Sequence, residues 1–373
     1  MAFALVGACS IGDVDYSGRS CPCIANYYCV ANRCVPNLPE GGDGGGIPDG
    51  PPPPADVSVQ PSDGPMRDGA IPGDGPPEGM VDSGDGAPPS YTTIASSLGN
   101  LTALTIDSAY VYWAVYDTTS TTSTVSKAPL GGGSAGLVAM GPGLVVDLVA
   151  TSQGLYFLEL DGNVVLFAPG ANPAYLSTAS CTGVSDLATD GTYVYWSCQQ
   201  TTTATLFRAA SGSLALSLAS GSYTGQGLAV SGTTLYVANE GANVLQVPTG
   251  GGSLTPFGTY LASFLAADTL SLYTAYNHNN ASGDSVFDVT RYPFAGGGPI
   301  MLGQEAGRAR DLVTDGTNVY CADSLSGLWR FGINPVSTTL IGGSIAIAAA
   351  VDSTFVYWAD NGVGGGSILK APK

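Results

Sequence analysis

Three aspartates share one position in a repeated pattern of this sequence. Asp147, Asp186 and Asp311 each stand nine residues before a tyrosine that recurs along the chain. Carboxylate oxygens suit Ca2+ and other hard cations, so these side chains can bind a cation or a cationic ligand if the fold brings them together. The alternative is structural, because each carboxylate can instead accept hydrogen bonds from loop amides. The sequence leaves both interpretations open.

A second candidate is the Asn-rich stretch 277–285, which holds Asn277, Asn279 and the only histidine, His278. Histidine serves as a general base and a metal ligand. The alternative to a non-catalytic role is a metal-assisted lyase or hydrolase that uses His278 with the three aspartates. The sequence has no Asp-box, no tryptophan motif of quinoproteins, no G-x-S-x-G elbow and no paired metal-binding histidines. We expect a non-catalytic protein without a cofactor, and Ca2+ is the one candidate ion.

The cysteines predict disulfides in two places. Cys181 lies in the entry to the third repeat and Cys198 lies just past Trp196, at the end of the second strand of that repeat. Both should therefore lie at the same end of the repeat, and we predict a disulfide between them. Four more lie within fourteen residues, at Cys21, Cys23, Cys29 and Cys34. This spacing indicates two disulfides with three possible pairings, while a zinc site is the competing interpretation. Cys321 occupies a position where other repeats have tryptophan, so we expect a buried thiol.

The repeat itself is marked by one tyrosine in each copy, at Tyr112, Tyr156, Tyr195, Tyr236, Tyr273, Tyr320 and Tyr357. The steps are 44, 39, 41, 37, 47 and 37 residues, close to the length of a propeller blade of four strands. Five residues before each tyrosine stands Asp, Ser or Thr, whose side chains can close a tight turn. Alternating aromatic and β-branched residues follow, as in Tyr193-Val194-Tyr195-Trp196, and such residues suit a half-buried strand.

The pattern Asp-Gly-Thr-x-Val-Tyr-Trp with a trailing x-Leu-Lys-Ala-Pro resembles the seven-bladed β-propellers of the NHL/YncE-like group of bacterial secreted proteins. The resemblance covers about residues 91–373 and implies an all-β ring of seven four-stranded blades. The last repeat stops after a third strand, and the stretch 91–98 looks like a spare fourth strand. We expect this N-terminal strand to complete the last blade, which removes an open edge.

In such a ring, the loops that enter the first strand of a blade and those that join its second and third strands share one face, here called the top face. The opposite face is the bottom face. The three aspartates belong to the top face, as do the longest second-to-third connections, 117–123 and 277–285. We therefore expect binding through the top face, with Asn277, His278 and Asn279 taking part beside the aspartates.

The N-terminal region divides into three short segments. Val6-Gly7-Ala8-Cys9 resembles a bacterial lipobox, which implies an acylated Cys9, a truncated signal in residues 1–9 and, with Ser10 next, sorting to the outer membrane. Residues 10–38 are expected to form the Cys-rich module. Residues 39–90 are rich in Gly, Pro and Asp and have too few apolar side chains to fold, so we expect a disordered tether.

Charge narrows the choice of partners. The net charge is −18, so the chain has no basic surface of the kind that follows nucleic acid, and no apolar run is long enough to span a bilayer. We expect a monomer in the bacterial envelope or outside the cell, attached to a membrane only by a lipid. The expected role is recognition of a protein, peptide or glycan, with the enzyme above and a structural envelope protein as alternatives.

Overall fold

The computed structural model describes residues 27–30, 33–36 and 91–373, apart from 142, 171, 178–180, 185, 202, 211–212, 225–226 and 240–241. The chain divides into two compact units, Met1–Met80 and Val81–Lys373. In the first unit, β1 (Tyr27–Val30) and β2 (Arg33–Pro36) form an antiparallel pair with Cys29 opposite Cys34. The predictions for Cys9, Cys21, Cys23 and the tether lie outside the described residues.

The second unit is an all-β ring of seven four-stranded antiparallel sheets, which confirms the predicted fold class. Blade 1 holds β4 (Leu101–Ile106), β5 (Tyr110–Asp117), β6 (Thr122–Pro129) and β7 (Gly136–Gly141). Blade 2 holds β8 (Val145–Thr151), β9 (Gly154–Glu159), β10 (Val164–Phe167) and β11 (Ala174–Ser177). Blade 3 holds β12 (Leu187–Thr189), β13 (Tyr193–Gln199), β14 (Ala204–Ala210) and β15 (Leu216–Gly221). Blade 4 holds β16 (Leu228–Ser231), β17 (Thr234–Asn239), β18 (Asn243–Pro248) and β19 (Thr255–Gly258).

The remaining blades follow in chain order, and the last takes one strand from the N-terminal side. Blade 5 holds β20 (Phe264–Ala267), β21 (Ser271–Asn279), β22 (Ser285–Pro293) and β23 (Ile300–Ala306). Blade 6 holds β24 (Ala309–Thr314), β25 (Asn318–Asp323), β26 (Gly327–Ile333) and β27 (Val336–Gly342). Blade 7 holds β28 (Ala346–Val351), β29 (Phe355–Asp360), β30 (Ser367–Pro372) and β3 (Thr92–Ala95). The pairing of β3 with β30 confirms the predicted closing strand.

The buried apolar side chains of the described residues form seven clusters, one at each interface between neighbouring blades. Adjacent strand residues point to opposite faces of a sheet, so each blade contributes to both of its neighbours. Trp196 packs toward blade 2, whereas Tyr195 packs toward blade 4. Trp358 and Tyr357 divide in the same way between blades 6 and 1. The aromatic alternation of the sequence thus supplies packing contacts to both sides of a blade.

The acids before the marker tyrosines close turns, as the sequence predicts. In blade 1, Asp107 Oδ1 accepts hydrogen bonds from the N–H groups of Ala109 and Tyr110, each at 2.7 Å, and Oδ2 accepts one from the Tyr112 hydroxyl at 2.7 Å. The equivalent contacts occur at Asp190, Asp268, Asp315 and Asp352. These turns lie on the bottom face.

Candidate functional site

The structure brings the three predicted aspartates together at the centre of the ring. The innermost strands of all seven blades, from β4 to β28, line a central channel with a cavity of about 480 Å3. Asp147, Asp186 and Asp311 line this cavity and also a smaller one of about 60 Å3 at the top. We call these three residues the channel aspartates.

Each channel aspartate bonds to the innermost strand of the next blade. Asp147 Oδ2 accepts the N–H of Leu187 at 2.6 Å. The other two links join Asp186 Oδ2 to Leu228 N at 2.7 Å and Asp311 Oδ2 to Ala349 N at 2.8 Å. Such contacts hold consecutive blades in register. The sequence was compatible with ligand binding or with a structural role for these aspartates, and the geometry supports the structural role.

The remaining carboxylate oxygens are also engaged. Asp147 Oδ1 accepts the N–H of Leu148, and Asp311 Oδ1 accepts the N–H of Leu312, each at 2.7 Å. The carboxyl groups of Asp147 and Asp186 are hydrogen-bonded to each other. A cation at this site would compete with backbone donors for most of the carboxylate oxygens.

The electrostatics of the channel disfavour three full negative charges. Burial raises the pKa of Asp147 to about 7, against the lowering effect of its hydrogen bonds to Asp186 and Leu187. Burial and the negative charge of Asp147 raise the pKa of Asp186 well above its usual range. Burial also raises the pKa of Asp311. Two neighbouring carboxyl groups that share a hydrogen bond keep one proton between them, so the Asp147–Asp186 pair holds fewer than two charges at neutral pH.

Blade 4 shows why this position is not always an aspartate. Gly227 occupies it, and a Cβ atom there would lie 2.9 Å from Cα of Phe264 on β20. That distance is below ordinary contact, so the close approach of blades 4 and 5 requires glycine.

One charged residue at the channel mouth was not predicted from the sequence. Arg310 directly precedes Asp311 and forms a β-bulge in β24, because the pairing with β25 shifts between Ala309 and Asp311. A bulge re-aims a side chain, and Arg310 is exposed and lines the small top cavity. The sequence shows an arginine next to a channel aspartate. It does not show that Arg310 lies at the channel mouth, because a β-bulge cannot be predicted from the alternation of polar and apolar residues along a strand.

The prediction that the Asn-rich stretch 277–285 of blade 5 is a loop is wrong for its two ends, which belong to strands. The register pairs Asn277 with Phe287, His278 with Val286 and Asn279 with Ser285, so only residues 280–284 form the turn. In blade 1 the expected loop was 117–123, but in the structure only residues 118–121 lie between the two strands. Hairpin pairing continues beyond the blade body in both places, because polar side chains do not prevent backbone ladder bonds.

His278 is separated from the channel aspartates. Its Nε2 lies 3.0 Å from Asp288 Oδ2, its ring stacks on Tyr276 at 5.4 Å, and Asp288 Oδ1 accepts a hydrogen bond from Gln304. His278 does not line the channel or its mouth. The structure therefore does not assemble the predicted set of His278 with the channel aspartates.

Asn277 links two blades instead of facing solvent. Its Oδ1 accepts the N–H of Ala309 at 2.8 Å and its Nδ2 donates to the carbonyl of Ala309 at 3.0 Å. Asn361 makes the same pair of bonds to Leu101, where blade 7 meets blade 1. Both asparagines stand four residues after a marker tyrosine, which is a sequence signal for these clamps. Asn279 contributes its backbone carbonyl, which lies 3.2 Å from His278 Nδ1.

The top face carries exposed aliphatic side chains and two exposed arginines, Arg308 and Arg310. The aliphatic members are Leu160, Leu261, Leu325, Ile345 and Val363. Leu325 is 66% exposed and Val363 is fully exposed, at 102%. Arg308 is also exposed, and its backbone carbonyl accepts a hydrogen bond from Ser324, next to Leu325. We call Arg308, Arg310, Leu325, Ile345 and Val363 the top patch.

The predicted disulfide between Cys181 and Cys198 is present, with a Cα–Cα distance of 5.2 Å. It joins the segment that enters blade 3 to the end of β13 and therefore lies at the top face. Cys321 is a buried free thiol, and burial raises its pKa well above the usual range. A neutral buried thiol is a poor nucleophile.

No protein-family model matches the chain, and no curated protein matches it. Solved structures with a similar fold include Kuenenia stuttgartiensis hydrazine synthase, at 13% identity and a TM-score of 0.59, covering 74% of this chain and 97% of that one. PorZ, a bacterial surface component of the type-IX secretion system of Porphyromonas gingivalis, is similar at 11% identity and a TM-score of 0.52. The match covers 72% of this chain but only 36% of PorZ.

Saccharomyces cerevisiae Sqt1 is similar at 10% identity and a TM-score of 0.50, with 76% of this chain and 98% of that chain covered. In the part of the chain that the structure describes, no helix is long and apolar enough to cross a membrane. Similarity at such low sequence identity establishes the architecture of this chain. It does not transfer the activity of a matched protein to this chain. The chain is a seven-bladed β-propeller.

Proposed function

We propose that this chain is a non-catalytic recognition module of the bacterial envelope that binds a protein partner through its top face. The observation that carries the proposal is the top patch, whose exposed aliphatic side chains share the top face with two exposed arginines that form no ion pair among the described residues. Exposed apolar side chains that gather on one face of a protein are typical of interaction sites. The partner would present an apolar surface bordered by carboxylates, which the two arginines attract.

The channel is the weaker candidate because its carboxylates are already bonded to backbone N–H groups. A glycan is also a weaker candidate, since the exposed large apolar side chains in the described part of the top face are aliphatic, not aromatic. PorZ, which has a similar fold, is a surface component of a secretion system, and this supports an envelope location. A lipid at Cys9 would hold the protein at the outer membrane, with the acidic segment 39–90 as the tether.

The test compares top and bottom substitutions of matched chemistry. The full chain is used to recover partners from the envelope fraction of the source bacterium. The double variant Leu325→Ser/Val363→Ser should lose the recovered partner, whereas Leu270→Ser on the bottom face, where the side chain is 65% exposed, should keep it. Equal recovery by both variants, with both folded, would reject the top patch.

The enzyme alternative rests on the contact between His278 and Asp288. It would gain support only from an activity that His278→Ala abolishes in a folded protein. An activity that survives this substitution would belong to other residues.

A further inference from the structure

The bottom face contains a repeated basic position that the top-face proposal does not use. In five blades a lysine or arginine on the third strand pairs with the marker tyrosine, namely Lys127, Arg208, Arg291, Arg330 and Lys370. Blades 2 and 4 have Leu166 and Gln246 there. The five blades are the same ones that have an aspartate in the bottom turn.

Two of these cations bond to the next blade. Arg208 of blade 3 donates to the carbonyl of Thr249 in blade 4. Lys370 of blade 7 donates to the carbonyl of Leu130 in blade 1 at 2.7 Å. Thr249 and Leu130 occupy the same place in their blades, directly after the proline that ends the third strand. The same hydrogen bond, from a third-strand cation to a backbone carbonyl of the next blade, therefore occurs at two blade interfaces. We call this hydrogen bond the blade seal.

Lys127 of blade 1 lacks the blade seal. Its Nζ lies 4.1 Å from the ring centroid of Tyr110 and 5.8 Å from that of Tyr112. Among the described residues no hydrogen-bond acceptor reaches it. The equivalent place in blade 2 is Pro169, and a cavity of about 570 Å3 separates the blades here.

The lining of this cavity has two kinds of surface. Its apolar wall consists of Tyr112, Val138, Ala150, Leu155, Phe167 and Pro169. Its polar rim includes Lys127, Thr151 and Ser152. Asp107 also lines the cavity, but its oxygens already accept two backbone N–H bonds and the Tyr112 hydroxyl. The Lys127 ammonium lies near enough to the Asp107 carboxylate to interact with it electrostatically, but among the described residues it donates no hydrogen bond and so keeps its N–H donors for a ligand.

We propose that this cavity, here called the blade 1–2 pocket, binds a small carboxylate with an apolar body. The carboxylate accepts the hydrogen bond that Lys127 Nζ does not make to the Pro169 carbonyl, and the apolar body packs on Leu155 and Phe167. The volume lies within the range of small-molecule sites, which are mostly apolar with a few placed polar groups. A charge-assisted hydrogen bond in a half-buried setting gives the preference for an anion.

The test is calorimetric titration of the full chain with octanoate and with its uncharged counterpart octanamide at neutral pH. Octanoate should bind more tightly than octanamide. Lys127→Met keeps the apolar stem and should weaken octanoate binding about tenfold, as expected for a lost charge-assisted hydrogen bond, without changing octanamide binding. Absence of octanoate binding to the unmodified chain would overturn the proposal.

Two variants keep the result interpretable. Lys370→Met removes the same side chain at the equivalent position in blade 7, where Leu130 already satisfies it, and should leave octanoate affinity unchanged. Ser152→Phe fills the exposed rim and should abolish binding at an unchanged melting temperature. Unchanged octanoate affinity in Lys127→Met or in Ser152→Phe, or an equal loss in Lys370→Met, would each reject the pocket.

Discussion

Asn361 hydrogen-bonds both backbone polar groups of Leu101, a residue 260 positions earlier in the chain. Its Oδ1 accepts the Leu101 N–H at 2.9 Å, and its Nδ2 donates to the Leu101 carbonyl at 2.8 Å. Leu101 is the first residue of β4 and is 2% exposed, so its backbone groups have little access to water. The Asn361 side chain therefore satisfies both backbone polar groups of Leu101 at the junction between the last blade and the first.

We expect Asn361→Ala to lower the free energy of unfolding by about 2 kcal/mol, because a buried donor and acceptor lose their partners. Urea denaturation gives the size of the effect, and hydrogen exchange at the Leu101 amide gives its location. Asn100→Ala is the matched control, since Asn100 is exposed and its side chain accepts a 3.4 Å contact from Asn361. Equal stability of Asn361→Ala and the unmodified chain would contradict the clamp.

The closing strand makes a second prediction. Deletion of residues 92–95 removes β3 and leaves β30 as an edge with unpaired backbone groups, which promotes pairing with other chains. We expect a lower melting temperature and self-association by light scattering. Deletion of four residues from the tether, 61–64, should change neither property. A monomeric and fully stable protein without residues 92–95 would show that closure does not depend on β3.

Much of the ring could be predicted because its determinants are local. A turn acid, an alternating strand and a large aromatic residue recur within about eleven residues, as in Asp186–Trp196. Strand alternation then fixes which side chains enter each interface, as Tyr195 and Trp196 show. The last repeat has three strands instead of four, and this count, with the spare stretch 91–98, is enough to predict the closing strand.

The site residues were harder to interpret because their partners are distant in sequence. Asp147 bonds to Leu187 and Asn277 to Ala309, at separations of 40 and 32 residues. A sequence shows that these side chains are polar, but not that a backbone amide of the next blade will face them. The sequence predicts that His278 lies in a long connection between two strands, yet ladder pairing with β22 extends β21 through it.

The disulfide of blade 3 gives a third prediction. It closes a loop with a sequence separation of 17 residues, for which the chain-entropy estimate is about 3 kcal/mol. We expect Cys181→Ser/Cys198→Ser to lose roughly this much stability in urea denaturation. A reducing agent should lower the melting temperature of the unmodified propeller, and this effect should vanish in the double variant. An equal effect of the reductant on both proteins would place the relevant disulfide elsewhere.

The hydrogen bonds of the channel aspartates lead to a prediction about calcium. Asp147, Asp186 and Asp311 direct five carboxylate oxygens to backbone N–H groups. Because a bound ion would have to displace these donors, we expect millimolar Ca2+ to leave the melting temperature of the propeller unchanged. A stabilisation by Ca2+ that disappears in Asp186→Asn would instead establish a cation site in the channel.

The raised pKa of Asp147 predicts how stability varies with pH. An acid whose folded pKa lies above its unfolded value contributes stability that is fully present below the unfolded pKa and is lost as the pH rises through the folded pKa. For Asp147 this window runs from the ordinary value of 3.8 to about 7. Asp147→Asn cannot ionise, but it leaves one backbone N–H without an acceptor, so the variant carries a penalty that does not depend on pH.

The melting temperature of Asp147→Asn minus that of the unmodified chain should therefore increase between pH 4 and pH 7 and level off above. The control is Asp284→Asn, which removes a carboxylate from the exposed turn of blade 5, and the increase should be larger for Asp147→Asn than for this control. If the Asp147→Asn difference fell with rising pH, Asp147 would be stabilised as an anion in the folded protein. In that case backbone hydrogen bonding, not burial, would dominate the electrostatics of the channel.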